Sequence, residues 1–240
     1  MSLSTRRIRA IVRKELKDYR RNRTLVVTMT ILPLIFLIQP TVVILLYHKE
    51  SAAALAQGHA LLYMLAIPAL VPAAVAAAAV VGERQQSTLE PVLTTPITRE
   101  EFLLGKALAA LIPSVAIAYA VYAAFVILVI LFAQPGVPAA ILRAPDILAQ
   151  VLLTPLIAAW SIWVGLAIST RSSDVRVAQQ ISLLGNLPLF AVSSLVAFDV
   201  IHATLGLALA LAALLLVLDV VGWRIVSAMF DRERLIADTR

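Results

Sequence analysis

Six runs of about twenty apolar residues, parted by short polar breaks, set the pattern of this chain. They cover roughly 25–47, 60–81, 107–133, 147–170, 177–198 and 203–221. A helix rises about 1.5 Å per residue and a bilayer's hydrocarbon layer is about 30 Å thick, so each run is long enough to cross. The fifth and sixth runs are crowded at their ends by Asp199, His202 and Asp219. A re-entrant hairpin is therefore the alternative for part of that region.

The stretch 82–106 has a different character. It holds Glu83, Arg84, Glu90, Arg99, Glu100, Glu101 and Lys106. Each charge costs about 2.5–3.5 kcal/mol at the centre of a spanning helix, or on the order of 20 kcal/mol together. The segment is expected to stay in water. Within it, Ser87 with Glu90 and Thr98 with Glu101 have the spacing of helix capping boxes. Pro91 suits the first position of a short helix and Pro96 stops it. Thr98 then starts a second helix whose Phe102, Leu103 and Leu104 lead into the third span. The pattern predicts a short helix lying across one membrane face, held between two spans.

A second amphipathic piece precedes the first span. Ile8, Ile11, Val12, Leu16 and Tyr19 occupy one arc of a helix, and Arg6, Arg9, Arg13, Lys17 and Arg20 the opposite arc. Such a helix is expected in the interface, apolar side toward lipid and basic side toward anionic headgroups. Glu15 falls in the apolar arc and does not fit that picture.

Composition agrees. Hydrophobic residues make up 61% of the 240, against about 45–50% in soluble domains. The net charge of +6 suggests nucleic acid until it is located: nine of the twenty Lys and Arg lie in the first 24 residues. Eighteen of the twenty fall in the N-terminal segment, the 82–106 loop, the 171–176 loop and the C-terminal tail, leaving Lys49 and Arg143 for the remaining loops. Lys and Arg accumulate on the cytoplasmic side, so both ends are expected there, in the cell membrane, with no nucleic-acid partner. The N-terminus does not have the form of a cleavable signal peptide, because its charged region is too long. The expected fold is an all-α membrane protein forming a single transmembrane domain over 1–240. Its cytoplasmic parts are the amphipathic helix at 1–24, the loop at 82–106 and the tail at 223–240. No cytoplasmic segment is long enough to be a catalytic domain.

Candidate chemistry is sparse. The chain has no cysteine, which excludes thiol chemistry and disulfides. His48, His59 and His202 lack metal-ligand spacing, and Ser193 and Ser194 have no base at a recognisable offset. No metal or cofactor is expected on this chain. Within the spans, Gln39, Gln150, Gln179, Gln180 and Asn186 are the polar residues expected to bond between helices or face a pathway. Asp219, near Trp223 and Arg224, is expected to snorkel to water at the interface. Prolines 33, 40, 68, 72, 113, 155 and 188 are candidates for kinks.

Three stretches resemble the permease subunits of ATP-binding-cassette type-2 exporters. The first is Ile11-Val12-Arg13-Lys14-Glu15-Leu16-Lys17-Asp18-Tyr19-Arg20-Arg21-Asn22-Arg23, followed by Ile31-Leu32-Pro33-Leu34. The second runs from Glu83 through Thr88-Leu89-Glu90-Pro91-Val92-Leu93 and Pro96-Ile97 to Gly105-Lys106, with Ser87 where the family usually has Gly. A third echo is Val175-Arg176-Val177-Ala178-Gln179-Gln180, leading to Leu187-Pro188-Leu189.

The resemblance implies a coupling helix, with Glu83, Thr88, Leu89, Glu90, Pro91, Leu93 and Pro96 contacting a separate ATP-binding subunit. It implies an interfacial helix carrying Arg13, Lys14, Glu15, Lys17 and Arg20. It also implies a second permease subunit, surrounding membrane lipids, and ATP with Mg on the partner alone. Consistently, Gly105-Lys106 lacks the spaced glycine and following Ser or Thr of a phosphate-binding loop. On this reading the chain is not itself an enzyme. A scaffold that recruits a cytoplasmic ATPase without transport, and a membrane-embedded enzyme, remain the alternatives.

Overall fold

A computed structural model describes residues 3–46, 60–85, 97–197, 200–201 and 204–229. Among these residues the chain is helical and without strands. We label the helices α1 (Thr5–Arg21), α2 (Arg23–Leu46), α3 (Ala66–Gln85), α4 (Arg99–Phe132), α5 (Val137–Ile141), α6 (Ala144–Arg171), α7 (Val175–Gly185), α8 (Leu187–Ala197) and α9 (Leu205–Met229). A 3-10 turn, Ala60–Leu65, leads into α3.

Five helices are long and apolar enough to cross a membrane, and α7 with α8 makes a sixth span when taken as one bent unit. The bend between α7 and α8 is 40°. A hairpin within the pair would reverse the chain's direction, which a 40° bend does not do. The break has a local cause. Pro188 brings no N–H to the ladder, and the Asn186 N–H turns to Leu183 O at 3.1 Å. The carbonyl of Ser182 is then taken by the Asn186 side chain, whose Nδ2 donates to it at 2.9 Å. The Ser161 hydroxyl of α6 lies 2.9 Å from Asn186 Oδ1 and 2.8 Å from Ile157 O, and shares its one proton between them.

The third span is longer than its apolar run. α4 is one helix of 34 residues, about 51 Å long, so its first turns stand clear of a 30 Å hydrocarbon layer. It starts as the sequence suggests. Thr98 Oγ1 accepts from Glu101 N at 3.2 Å, and Glu101 Oε2 accepts from Thr98 N at 3.0 Å.

α3 is the central helix and is mostly buried, while α2, α4 and α9 keep most of their span surface outward. Its alanine run lets α6 approach closely. At Gly165 a Cβ would stand 2.8 Å from Ala73 O and 2.8 Å from Ala76 Cβ. Val80 N and Val81 N both donate to the Ser169 hydroxyl of α6 at 3.0 and 3.1 Å. α9 closes on the other side of α6, with Gly222 against the Trp163 ring and Trp163 edge-on to Trp223 at 5.5 Å.

Three expectations change. The apolar arc of α1 is covered by protein and not by lipid: Ile8, Ile11 and Tyr19 are buried, Ile11 against the position where Gly105 of α4 has no side chain. The 82–106 stretch is not wholly in water, because Glu83, Glu101 and Lys106 are buried and paired. Asp219 does not snorkel freely. It falls on the line Ala208, Ala212, Leu215, Gly222 and Val226 that α9 buries, and its Oδ1 is enclosed without a hydrogen-bond partner among the described residues.

Candidate functional site

At the end of the bundle that carries α1, four charged side chains from three helices meet. α1 lies along the first turns of α4, and Glu15, at the centre of its buried arc, points at Lys106. Lys106 Nζ is 3.1 Å from Glu15 Oε1, 3.2 Å from Glu83 Oε2 and 2.9 Å from Ala79 O. Lys14 Nζ completes the group, 3.1 Å from Glu15 Oε1 and hydrogen-bonded to Glu83 Oε1. The Lys106 side chain is fully enclosed, and those of Glu15 and Glu83 are 6% and 9% exposed. Two cations thus face two carboxylates, with Lys106, Glu15 and Glu83 enclosed and Lys14 half exposed at the edge of the cluster. Charges are buried in this way only when paired and bonded.

The electrostatics follow from that enclosure. Burial alone would raise the Glu15 pKa, but the ammonium groups of Lys106 and Lys14 outweigh it and hold the carboxyl below its ordinary value. Burial alone would lower Lys14; its bond to Glu83 and the charge of Glu15 outweigh this and raise it. Burial raises the Tyr19 phenol as well, and the carboxylates of Glu15 and Glu83 add to that.

The signs give a pH prediction. A depressed carboxyl contributes stability above its unfolded value of 4.5, lost as pH falls through the lower folded value. A raised ammonium contributes stability below 10.5, lost as pH rises through the higher folded value. The attachment of α1 is therefore expected to stay constant between those limits and weaken on either side. Protease access to α1 in detergent, measured across pH, checks this. A steady decline through neutral pH would contradict it.

A second clamp lies one turn before Lys106. Glu101 Oε1 accepts from Ser4 N at 2.8 Å, and its Oε2 lies 3.3 Å from Arg7 Nη1, so the capping residue of α4 also holds the start of α1. Further ties join this end of the bundle. Arg99 Nη1 donates to Ser227 O of α9 at 3.2 Å, and Gln85 Nε2 donates to Ser173 O at 3.1 Å. Next to Ser173, Asp174 caps α7, accepting from Arg176 N and Val177 N at 2.7 and 3.2 Å.

The residues singled out from sequence divide as follows. Glu83 sits in the ion cluster, at the last turn of α3. Thr88, Leu89, Glu90, Pro91, Leu93 and Pro96 lie outside the described residues. Lys14 and Glu15 belong to the cluster, while Arg13, Lys17 and Arg20 are on the exposed side of α1. Gln179 bonds α7 to α3, its Nε2 donating to Ala74 O at 3.2 Å, and Asn186 is buried at the α7–α8 break. Gln180 is exposed on the outer side of α7. Gln39 lies in α2 and its side chain is outside the described set. Lys106 and Glu101 are the residues that sequence reasoning did not place at this site. Their signal was present: a lone carboxylate in the apolar arc of α1 needs a buried cation, and Lys106 stands where a span begins.

A family model described as ABC-2 type transporter matches residues 6–205. No curated protein matches the chain. The matched stretch takes in α1 from Arg6 onward, the ion cluster, Arg7 and Glu101 of the second clamp, and the bent pair α7 and α8.

Proposed function

The chain belongs to the ABC-2 type transporter family of multi-pass membrane proteins, and from that premise we propose that it is the permease subunit of an ATP-driven exporter. It works as a dimer, with the substrate route between the two permease subunits. Each copy is coupled to a separate subunit that binds ATP and Mg. Its ends and the 86–96 segment face the cytoplasm, as the placement of Lys and Arg implies.

The observation that carries this reading is how the two flanks of the 86–96 segment are held. Its near flank ends at Glu83, in the ion cluster, and its far flank begins at Thr98 and Glu101, in the second clamp. Both flanks are fixed to α1 and lead straight into α3 and α4. A push on the segment is therefore not absorbed at its ends. It passes into α3, which packs against α6 and α7, and into α4. ATP binding closes the two partner subunits and supplies the push; hydrolysis resets it. The basic outer side of α1 (Arg13, Lys17 and Arg20) lies beside this route, available to acidic groups of the partner or to anionic headgroups.

The test is co-purification with the ATP-binding subunit, followed by an ATPase assay in lipid. Replacing Leu89, Glu90 and Leu93 together by alanine is expected to weaken the association at least about tenfold, the equivalent of about 1.4 kcal/mol, or to free ATP hydrolysis from transport. Full association with intact coupling in that variant would sink the placement of the contact. Binding of the ATPase without any movement of cargo would favour a scaffold instead.

A further inference from the structure

Within a single subunit, α8 and α9 form the walls of a cavity of about 220 Å³ floored by α6. Leu153 and Trp160 supply the floor, Leu189 and Val192 one wall, Leu211 and Leu214 the other. It runs along α9 from Thr204 to Leu218, fourteen residue steps or about 21 Å at the helical rise. Half the hydrocarbon layer is about 15 Å, so the cavity is as deep as one leaflet and somewhat more. It begins at the end of the bundle remote from α1, where α6 and α9 start.

We propose that this cavity holds one alkyl chain of a lipid from the leaflet at that remote end. Its lining excludes water. The side chains around it are apolar apart from the Trp160 indole, Ser193 in a wall, and Asp146 and Thr204 at the remote end. Those last two are engaged: Asp146 pairs with Arg143 at 3.1 Å, and Thr204 Oγ1 accepts from Leu207 N at 3.1 Å. A water molecule needs two to four polar partners, and an apolar cavity of about 150 Å³ stays dry and takes up hydrocarbon. The shape selects among hydrocarbons. Drawn out over about 21 Å, the cavity is long and narrow, the shape of an extended alkyl chain. The polar groups at its remote end place the chain's headgroup beside Arg143 and Thr204. The site lies inside one subunit and owes nothing to the route proposed between two copies.

Trp160 makes the proposal measurable. The chain has three tryptophans, so Trp163→Phe with Trp223→Phe leaves Trp160 as the sole reporter. The full chain is placed in nanodiscs of phosphatidylcholine, with a small fraction of lipid brominated on the acyl chain. Bromine quenches indole fluorescence on contact. Quenching is expected to saturate as the brominated fraction rises, and to fall about twofold or more when Leu189→Phe and Leu211→Phe fill the slot. Absence of quenching, as when a second protein copy covers the cleft, would overturn the proposal, and so would quenching unchanged by the filling variants. Should the filled protein fail to fold, competition in the unfilled reporter decides. Brominated fatty acid titrated against excess plain lipid must show a saturable component, and quenching that only tracks bulk mole fraction rules the site out.

Discussion

Replacing Lys106 with methionine is expected to destabilise the protein by about 3–5 kcal/mol, the usual cost of removing one partner from a buried ion pair. The side chain is fully enclosed, and it is the group that ties Glu15 and Glu83 to each other and to the carbonyl of Ala79. Methionine fills much of the same volume, so the loss is electrostatic and not a cavity effect. It leaves two carboxylates to one remaining ammonium, Lys14, which is itself half exposed. A drop in melting temperature on the order of 10 °C in detergent follows for a chain of this size.

The second half of the cycle separates this account from general damage. Glu15→Leu in the Lys106→Met background removes one of the stranded carboxylates and leaves Lys14 to pair with Glu83. Buried ion pairs replaced as a whole by apolar groups are often tolerated. The double variant should therefore recover most of the lost stability, with a coupling energy of about 0.5–3 kcal/mol between the two sites. Simple additivity of the single variants would show that Lys106 and Glu15 do not act as a pair. A double variant that folds but no longer couples ATP hydrolysis to transport would assign the ion cluster to transmission as well as to stability.

How much of this was legible in the sequence depends on the range of each interaction. The spans were, because membrane crossing is set by local length and apolarity, and α2, α4, α6 and α9 each cover all but at most two end residues of the run that named them. The capping box at Thr98 and Glu101 was legible for the same reason: its partners are three residues apart. The covering of α1 was not. Its moment showed an apolar face but not what covers that face, and the helix lies on α4 because Gly105 leaves room for Ile11 and Lys106 waits for Glu15, 91 positions away. Glu15 looked like a flaw in the amphipathic pattern and is its electrostatic anchor. Asp219 misled in the opposite way. Its neighbours Trp223 and Arg224 suggested an interface, while its helical phase, in step with Leu215 and Gly222, turns it toward α6.

The alanine run and Gly165 carry the other large expected effect. A Cβ at Gly165 would sit 2.8 Å from Ala73 O, 2.8 Å from Ala76 Cβ and 3.0 Å from Ala77 N. Two of these three are backbone atoms of α3, which cannot swing aside as a side chain would, so even Gly165→Ala must part the helices. Overpacking of this kind costs about 1–3 kcal/mol, and Gly165→Leu should exceed that range, with α3 and α6 unable to keep the contact between Val80, Val81 and Ser169. Because α6 also supports α7 and α9, a shift there loosens the path from the 86–96 segment to the rest of the bundle. Helix content should survive while stability and ATP-linked transport fall together. Gly82 is the control, since a Cβ there meets nothing within 4 Å and Gly82→Ala should gain up to about 1 kcal/mol of helix propensity. Were Gly165→Ala to melt and transport like Gly82→Ala, close contact between α3 and α6 would not be what holds the centre of the bundle.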